Sequence, residues 1–177
     1  MNYQIVISGV GGQGVLFVTR ILAQACMDDK KSVLTSETHG MAQRGGTVIS
    51  HLKVGNFNSP LIRPGSADLL VALKDENYSR HRGFLKEGGR ALVNTRENNL
   101  KGKDLTSINA EGMGLKDNNL RSTNLYMLGA ALGLVAVCPL ERLKEQIEKV
   151  FSKKSENARA MALLALETGY NHICKER

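Results

Sequence analysis

Residues 3–14, YQIVISGVGGQG, decide the fold of this chain. The apolar run at 3–8 is typical of a buried parallel strand, and it passes directly into a GxGxxG pattern formed by Gly9, Gly11 and Gly14. In the stretch after Gly14, apolar residues recur at helical spacing, which predicts an amphipathic helix. This order of strand, glycine turn and helix predicts a loop whose free backbone N–H groups come close to an anion.

Beyond this unit, strand and helix patterns alternate first, and helices dominate the last third. Short apolar runs predict further strands at residues 32–36, 47–54, 68–73 and 91–94. Helical patterns predict helices at 14–28, 74–82, 122–137, 140–151 and 156–172. A tight turn is expected at 86–90 and a polar loop at 96–104, with Pro139 and Ser155 opening the last two helices. We therefore predict a single α/β domain over residues 1–177, with a mostly parallel Rossmann-like sheet flanked by helices and a helical C-terminal third.

The glycine loop has two interpretations. In the first, the backbone approaches a phosphate group, and the binding residues are Gly9, Gly11, Gly12, Gln13 and Gly14. In the second, the glycines only allow tight packing of the helix against the strand. Glu37 follows Gly14 by 23 residues, where a dinucleotide-binding fold uses an acidic side chain to bind a ribose hydroxyl. A phosphate-binding P-loop is excluded, because the chain has no GxxxxGK[ST] pattern.

Residues 36–46, SETHGMAQRGG, form a second polar loop between the predicted second and third strands. The candidate binding residues of this loop are Glu37, His39, Gln43, Arg44, Gly45 and Gly46. A guanidinium beside two glycines suits a carboxylate or phosphate ligand. Loops at the carboxyl ends of parallel strands converge, so we expect this loop beside the first one. The sequence leaves other roles open, with His39 as a hydrogen-bonded loop residue and Glu37 as an ion-pair partner of Arg44.

The composition narrows the classes of function. The net charge of +7 favours an acidic ligand or partner. Nucleic acid is disfavoured, because only 5% of the residues are aromatic and no binding module is present. The three cysteines are widely separated, and no two histidines have the spacing of metal ligands, so no metal site is predicted. The apolar segment at 125–138 is too short to cross a membrane, and the cysteine usage favours a cytoplasmic location.

The two loops together resemble a known family. The motifs ISGVGGQG at 7–14 and SETHGMAQRGG at 36–46 are similar to those of the gamma-type subunit of 2-oxoacid:ferredoxin oxidoreductases. The second motif is most similar to the version in the small (beta) subunit of the indolepyruvate-specific enzymes. The resemblance covers the whole chain, including NLYMLG at 124–129 and the closing Gly169-Tyr170.

The resemblance implies a division of labour between subunits. Such enzymes decarboxylate a 2-oxoacid on thiamine diphosphate, pass electrons through [4Fe–4S] clusters to ferredoxin, and transfer the acyl group to coenzyme A. This chain lacks the Gly-Asp-Gly signature for thiamine diphosphate and the cysteines for a cluster. We therefore expect thiamine diphosphate, its Mg²⁺ and the clusters on a large catalytic partner subunit. This chain is expected to be non-catalytic alone, with its glycine loops as a candidate site for coenzyme A.

Alternatives to this interpretation come from other functional classes. One is a free-standing reductase that binds a nicotinamide or flavin cofactor, and another is a stand-alone protein that binds coenzyme A or a nucleotide. The helix with Gly129 and Gly133 and the final helix are expected to lie in the core rather than at a subunit interface. The isolated chain is expected to form a homodimer through surfaces meant for its partner.

Overall fold

The computed structural model describes residues 2–39, 46–96, 102 and 104–175. The strands are β1 (Tyr3–Val10), β2 (Val33–His39), β3 (Thr47–Val54), β4 (Ala67–Ala72), β5 (Leu85–Asn94) and β6 (Leu105–Ile108). The α-helices are α1 (Val15–Asp28), α2 (Asp75–His81), α3 (Ala110–Lys116), α4 (Thr123–Leu134), α5 (Leu140–Phe151) and α6 (Glu156–Lys175). Short 3₁₀ helices lie at Arg82–Phe84 and Leu120–Ser122.

The strands form one six-stranded sheet in the order β2-β3-β1-β4-β5-β6. β1, β4, β5 and β6 pair in parallel, whereas β3 is antiparallel to both of its neighbours, β1 and β2. β2 therefore runs in the same direction as β1, and only β3 is reversed. The predicted α/β domain with a mostly parallel sheet is confirmed.

Alternate residues of β1 pack on opposite faces of this sheet, as the two-residue period of a strand requires. Ile5 and Ile7 belong to the main core, which α1, α4, α5 and α6 cover. Val6 belongs to a smaller cluster on the other face with Ile62 and Leu70. The thick helical layer thus lies on one face, while α2 and the segment around Ile62 cover the other.

The pair α4 and α6 packs at very short range. A Cβ placed on Gly129 would lie 2.0 Å from the carbonyl oxygen of Leu166, and one on Gly169 would lie 2.0 Å from that of Tyr126. Any side chain at either position would therefore push the helices apart. Gly129 and Gly133 are both buried in α4, as expected for core positions.

Several local predictions were wrong, and each error has a physical reason. The predicted turn at 86–90 lies inside β5, because a bulge opposite Ala67 absorbs its glycines. β6 was missed because it is short and half polar. Pro139 opens α5 as its N-cap residue, and the predicted bounds of that helix are the observed ones. Ser155 caps α6 as predicted, with its Oγ accepting a hydrogen bond from the backbone N–H of Ala158 at 3.2 Å. Within the described ranges, no helix is long and apolar enough to cross a membrane.

Candidate functional site

The candidate site lies at the carboxyl edge of the parallel strands. β1 ends in the glycine loop there, β4 ends before Leu73, and β5 ends at Asn94. The second loop returns to the same edge, because the backbone N–H of Gly11 donates to the carbonyl oxygen of Gly46 at 3.0 Å. Ligands of open α/β sheets bind at this edge, where connections leave in different directions.

The glycine loop has a backbone that other residues would adopt only with strain. Gly12 has a φ of +93° and Gly14 a φ of +80°. Gly14 is also the N-cap of α1, and a Cβ on it would lie 2.2 Å from Nδ2 of Asn124. The loop therefore passes tightly beneath α4 before it enters α1.

Gln13 fixes the shape of this loop. Its side-chain Oε1 accepts a hydrogen bond from the backbone N–H of Val10 at 2.7 Å, and its Nε2 donates to the carbonyl oxygen of Leu73 at 3.4 Å. One side chain thus joins the end of β1 to the end of β4. These contacts make Gln13 a positioning residue for the loop.

Asn94 continues the same network at the end of β5. Its Nδ2 donates to the carbonyl oxygen of Leu73 at 3.2 Å, and its Oδ1 accepts from the backbone N–H of Ala110 at 3.0 Å. Asn109 then caps α3 by accepting a hydrogen bond from the N–H of Gly112 at 2.7 Å. The strand ends and the start of α3 are therefore held in a fixed relation.

The N-terminus of α1 is suited to an anion. No side chain among the described residues caps it, and no acidic residue lies in its first turn. The first N–H groups of a helix have no intrahelical partner, and the helix dipole places partial positive charge there. An anion at this point would therefore meet both donors and a favourable field.

Three adjoining pockets follow this edge. The first, of about 380 Å³, is lined by Gln13, Leu73, Lys74, Asp75, Asn94, Thr95, Arg96 and Glu111. The second, of about 400 Å³, shares Gln13, Leu73 and Glu111 with the first and adds Gly12, Leu120, Arg121, Thr123 and Asn124. The third, of about 700 Å³, shares Leu120, Arg121 and Asn124 with the second. Its other lining residues include Phe17, Phe151 and Met161. Together they form a trough, which we call the edge trough.

The charges along the edge trough are mixed. The guanidinium of Arg96 binds Glu111, with Nε 2.8 Å from Oε2, and Nζ of Lys74 lies 3.1 Å from Oε1 of Glu76. Arg121 lines the second and third pockets and forms no ion pair with any residue that the structure describes. Its guanidinium is exposed at the wall of these pockets, where an anion could meet it.

The structure places some of the predicted residues of the second loop in a strand, and others lie outside the described residues. Glu37 and His39 belong to β2 rather than to a loop, and Glu37 is exposed, opposite Ser50 of β3. β3 separates β2 from β1, so Glu37 lies two strands, roughly 10 Å, from the strand that carries the glycine loop. Gln43, Arg44 and Gly45 lie outside the described residues.

Several residues of the edge trough were not predicted: Leu73, Lys74, Asn94, Glu111, Arg121 and Asn124. They come from separate segments that only the strand order brings together. The position of Asn94 at the end of an apolar strand was a usable signal. The charge of Arg121 was not a usable signal, because the short 3₁₀ helix that carries it contains no recognisable sequence motif.

A buried polar cluster on the opposite face is structural. Ser8 Oγ lies 2.9 Å from Nδ1 of His81 and accepts a hydrogen bond from Nδ2 of Asn77 at 3.2 Å. Ser8 is fully buried, so no substrate reaches this hydroxyl. Burial lowers the pKa of both His81 and the neighbouring His51. The positive charge of Lys53 lowers the pKa of His51 further. The cluster ties α2 to β1, in agreement with a structural role for these histidines.

Known proteins with similar sequences and folds identify the family. Residues 4–172 match the family described as pyruvate ferredoxin/flavodoxin oxidoreductase. The indolepyruvate oxidoreductase subunit IorB of Archaeoglobus fulgidus is 32% identical over 200 aligned residues, which cover 100% of this chain and 98% of that protein.

Two solved structures share the fold. The gamma subunit of a keto/oxoacid ferredoxin oxidoreductase from Geobacter sulfurreducens has a TM-score of 0.80 at 26% identity, over 98% of this chain and 99% of its own. The 2-oxoglutarate:ferredoxin oxidoreductase of Magnetococcus marinus, solved with 2-oxoglutarate, coenzyme A and succinyl-CoA bound, has a TM-score of 0.85 at 22% identity. The match covers 99% of this chain and 31% of that longer polypeptide. The interpretation as a stand-alone nucleotide-binding protein gains no support from these relatives. The chain belongs to the pyruvate ferredoxin/flavodoxin oxidoreductase family, among its gamma-type subunits.

Proposed function

We propose that this chain is the small, non-catalytic subunit of a 2-oxoacid:ferredoxin oxidoreductase that acts on indolepyruvate or a similar aryl pyruvate. The A. fulgidus relative, similar over the full chain, is named as an indolepyruvate oxidoreductase subunit. Cys26 and Cys138 are buried in the core, Cys174 is exposed elsewhere, and no three ligating side chains converge among the described residues. This distribution of ligands supports the part of the proposal that assigns thiamine diphosphate, Mg²⁺ and the [4Fe–4S] clusters to the large subunit.

The contribution of this chain is a binding site for coenzyme A along the edge trough. The observation that carries this proposal is the N-terminus of α1, which no described side chain caps and which opens beside the adjoining pockets of the edge trough. A protein of the same fold was solved with coenzyme A bound. The helix N–H groups and Arg121 would hold phosphate groups, and Gln13 would keep the loop in its binding shape.

Within the assembled enzyme, the large subunit supplies carbanion chemistry and electron transfer, with ferredoxin as the acceptor. The residues of this chain bind and orient the thiol substrate at the interface. A gain from positioning requires both chains, so neither should give full activity alone.

Reconstitution tests the subunit assignment. The purified large subunit should gain activity with an aryl pyruvate, coenzyme A and ferredoxin when this chain is added in equal amount. Light scattering on the same samples should show a homodimer of the isolated chain giving way to a mixed complex. Full activity of the large subunit alone would contradict the assignment.

Calorimetric titration with coenzyme A tests the edge trough. Replacing Arg121 with Ala should weaken binding about tenfold, as expected for the loss of one charge-assisted hydrogen bond. Arg82→Ala is the matched control, because Arg82 is an exposed arginine at the opposite, amino edge of the sheet. Equal affinity in wild type and Arg121→Ala would remove Arg121 from the site. No binding by either the wild-type chain or the reconstituted complex would contradict the trough as the site.

A further inference from the structure

β2 is an edge strand, and its outer side pairs with no strand that the structure describes. The other edge of the sheet is β6, which has four residues. β2 is longer, with seven residues from Val33 to His39, and its register with β3 runs without a bulge. It contains no proline and no lysine, which natural edge strands commonly use to prevent pairing. β2 is therefore the edge that is able to accept another strand.

The hydrogen bonds of the sheet show which backbone groups of β2 face outward. The backbone N–H of Gly55 donates to the carbonyl oxygen of Ser32 at 2.8 Å, in continuation of the register that pairs Val33 with Val54. In an antiparallel pair, hydrogen-bonded positions alternate with positions whose N–H and C=O groups point away. The even-numbered residues of β2 therefore bond to β3, and the odd-numbered residues 33, 35, 37 and 39 direct their N–H and C=O groups outward.

The pairing of β3 with β1 leads to the same assignment. The backbone N–H of Gly11 donates to the carbonyl oxygen of Gly46, so the even-numbered residues of β3 bond to β1. The odd-numbered residues of β3, such as His51 opposite Ser36, are left to bond to β2. Both neighbours of β3 thus give one consistent alternation along β2.

The sequence of β2 matches itself when two copies run antiparallel about Ser36. This register pairs all seven residues of the strand, and odd-numbered residues meet odd-numbered ones, so the outward N–H and C=O groups of one copy bond to those of the other. Thr35 lies opposite Glu37 of the second copy, so a hydroxyl donor faces a carboxylate. A register centred on Glu37 would instead place two carboxylates opposite each other and is disfavoured.

We propose that two copies of this chain associate by antiparallel pairing of their β2 strands about a twofold axis at Ser36. Both copies use the same surface, as a twofold interface requires, and their sheets become one continuous sheet. Paired strands form a small interface beside the standard size of roughly 800 Å² per partner, so we expect an affinity in the micromolar range. The homodimer expected of the isolated chain thereby acquires a defined surface.

A proline in β2 tests the pairing. The N–H of Thr35 points outward, so Thr35→Pro removes no hydrogen bond between β2 and β3, and edge strands tolerate proline at such positions. In size-exclusion chromatography with light scattering at high micromolar concentration, the wild type should be a dimer and Thr35→Pro a monomer. Thr35→Val keeps the N–H and is the matched control, which should remain a dimer. A monomeric wild type, or a Thr35→Pro variant that is equally dimeric, would overturn the proposal.

Cysteine cross-linking tests the register. A Cys174→Ser background removes the exposed thiol, and Cys26 and Cys138 are buried. Ser36→Cys in this background would place two thiols at the twofold axis, in a non-hydrogen-bonded pair whose Cα atoms lie about 4.5 Å apart, which suits a disulfide. Mild oxidation should therefore give a covalent dimer on a non-reducing gel, and dithiothreitol should separate it.

Thr38→Cys in the same background is the matched control. Thr38 lies on the same face of β2 as Ser36 and is more exposed, so random collisions would cross-link it more readily. In the proposed register, the two copies of Thr38 lie roughly 14 Å apart along the strands, which is too far for a disulfide. Cross-linking at position 38 that equals or exceeds cross-linking at position 36 would overturn the proposal.

The outcome can be separated from that of the proposed function. Thr35 is not among the residues that line the edge trough, so the monomeric Thr35→Pro variant should bind coenzyme A with the affinity of the wild type. Loss of coenzyme A binding in both proteins would contradict the trough and not the β2 interface. A dimer that persists in Thr35→Pro would contradict the β2 interface and not the trough.

Discussion

Two groups of glycines in this chain have different structural roles. Gly12 and Gly14 take positive φ angles at an exposed loop, where a Cβ on Gly12 would meet nothing within 4 Å. Gly129 and Gly169 have ordinary helical backbones, but each faces a carbonyl oxygen of the other helix at 2.0 Å from an added Cβ. The first group allows a backbone shape and the second allows a backbone approach. Substitutions should therefore affect ligand binding in the loop and stability in the helix pair.

The largest effect is expected at the helix pair. Gly169→Ala should lower the free energy of unfolding by about 3 kcal/mol or more, because the new methyl group meets the rigid backbone of Tyr126 rather than a mobile side chain. Urea denaturation measures the loss. Gly83→Ala is the control, since a Cβ there meets nothing within 4 Å, and its effect should stay within about 0.5 kcal/mol. Equal midpoints for the two variants would disprove the close approach.

A smaller loss of stability, coupled to a loss of binding, is expected at the loop. Gly14→Ala should cost about 2 kcal/mol, since an L residue is strained at a φ of +80° and its Cβ meets the amide of Asn124. Coenzyme A affinity should fall at least about tenfold because the N-terminus of α1 shifts.

Removing the side-chain amide of Asn124 separates the steric contact from the backbone strain at Gly14. In Gly14→Ala with Asn124→Ala, the steric part of the stability loss should be relieved, while the part due to φ remains. Asn124→Ala alone provides the reference. A double variant no more stable than Gly14→Ala would show that Asn124 does not crowd the loop.

The contrast between a backbone shape set by local sequence and an approach between distant segments also explains which features could be predicted from the sequence. The glycine loop and α5 follow from local patterns, and α5 was predicted with its observed bounds because its apolar residues recur at helical spacing. β6 lacks such a pattern, since a four-residue edge strand needs few apolar residues. Local signals suffice where a segment determines its own shape.

Strand order is a property of the whole sheet, and no local pattern encodes it. The insertion of β3 between β1 and β2 moves Glu37 away from the glycine loop, although its sequence spacing suits a dinucleotide fold. The same order brings Asn94, Arg121 and Gln13 together from distant segments. The site residues that were missed are those that depend on tertiary arrangement.

The smallest effect on stability is expected at Tyr126, which contacts both the α4–α6 helix pair and the wall of the third pocket. Its carbonyl oxygen faces Gly169, and its hydroxyl donates a hydrogen bond to Oδ2 of Asp117, a lining residue of the third pocket, at 2.6 Å. Tyr126→Phe should lower the free energy of unfolding by about 1 kcal/mol at pH 7, since Asp117 is only half-buried and water can replace the lost donor.

The pH dependence of this difference identifies its cause. Burial, with the hydrogen bond and charge of Asp117, raises the pKa of Tyr126 above the ordinary value of 10.0. The folded state thus holds the phenol proton more tightly than the unfolded state, so the contribution is complete below pH 10 and declines as the pH rises further. Urea denaturation of wild type and Tyr126→Phe between pH 7 and 10.5 should show the gap narrowing only at the alkaline end. A gap independent of pH would mean that Tyr126 stabilises the fold by packing alone and that its hydroxyl does not couple α4 to the pocket wall.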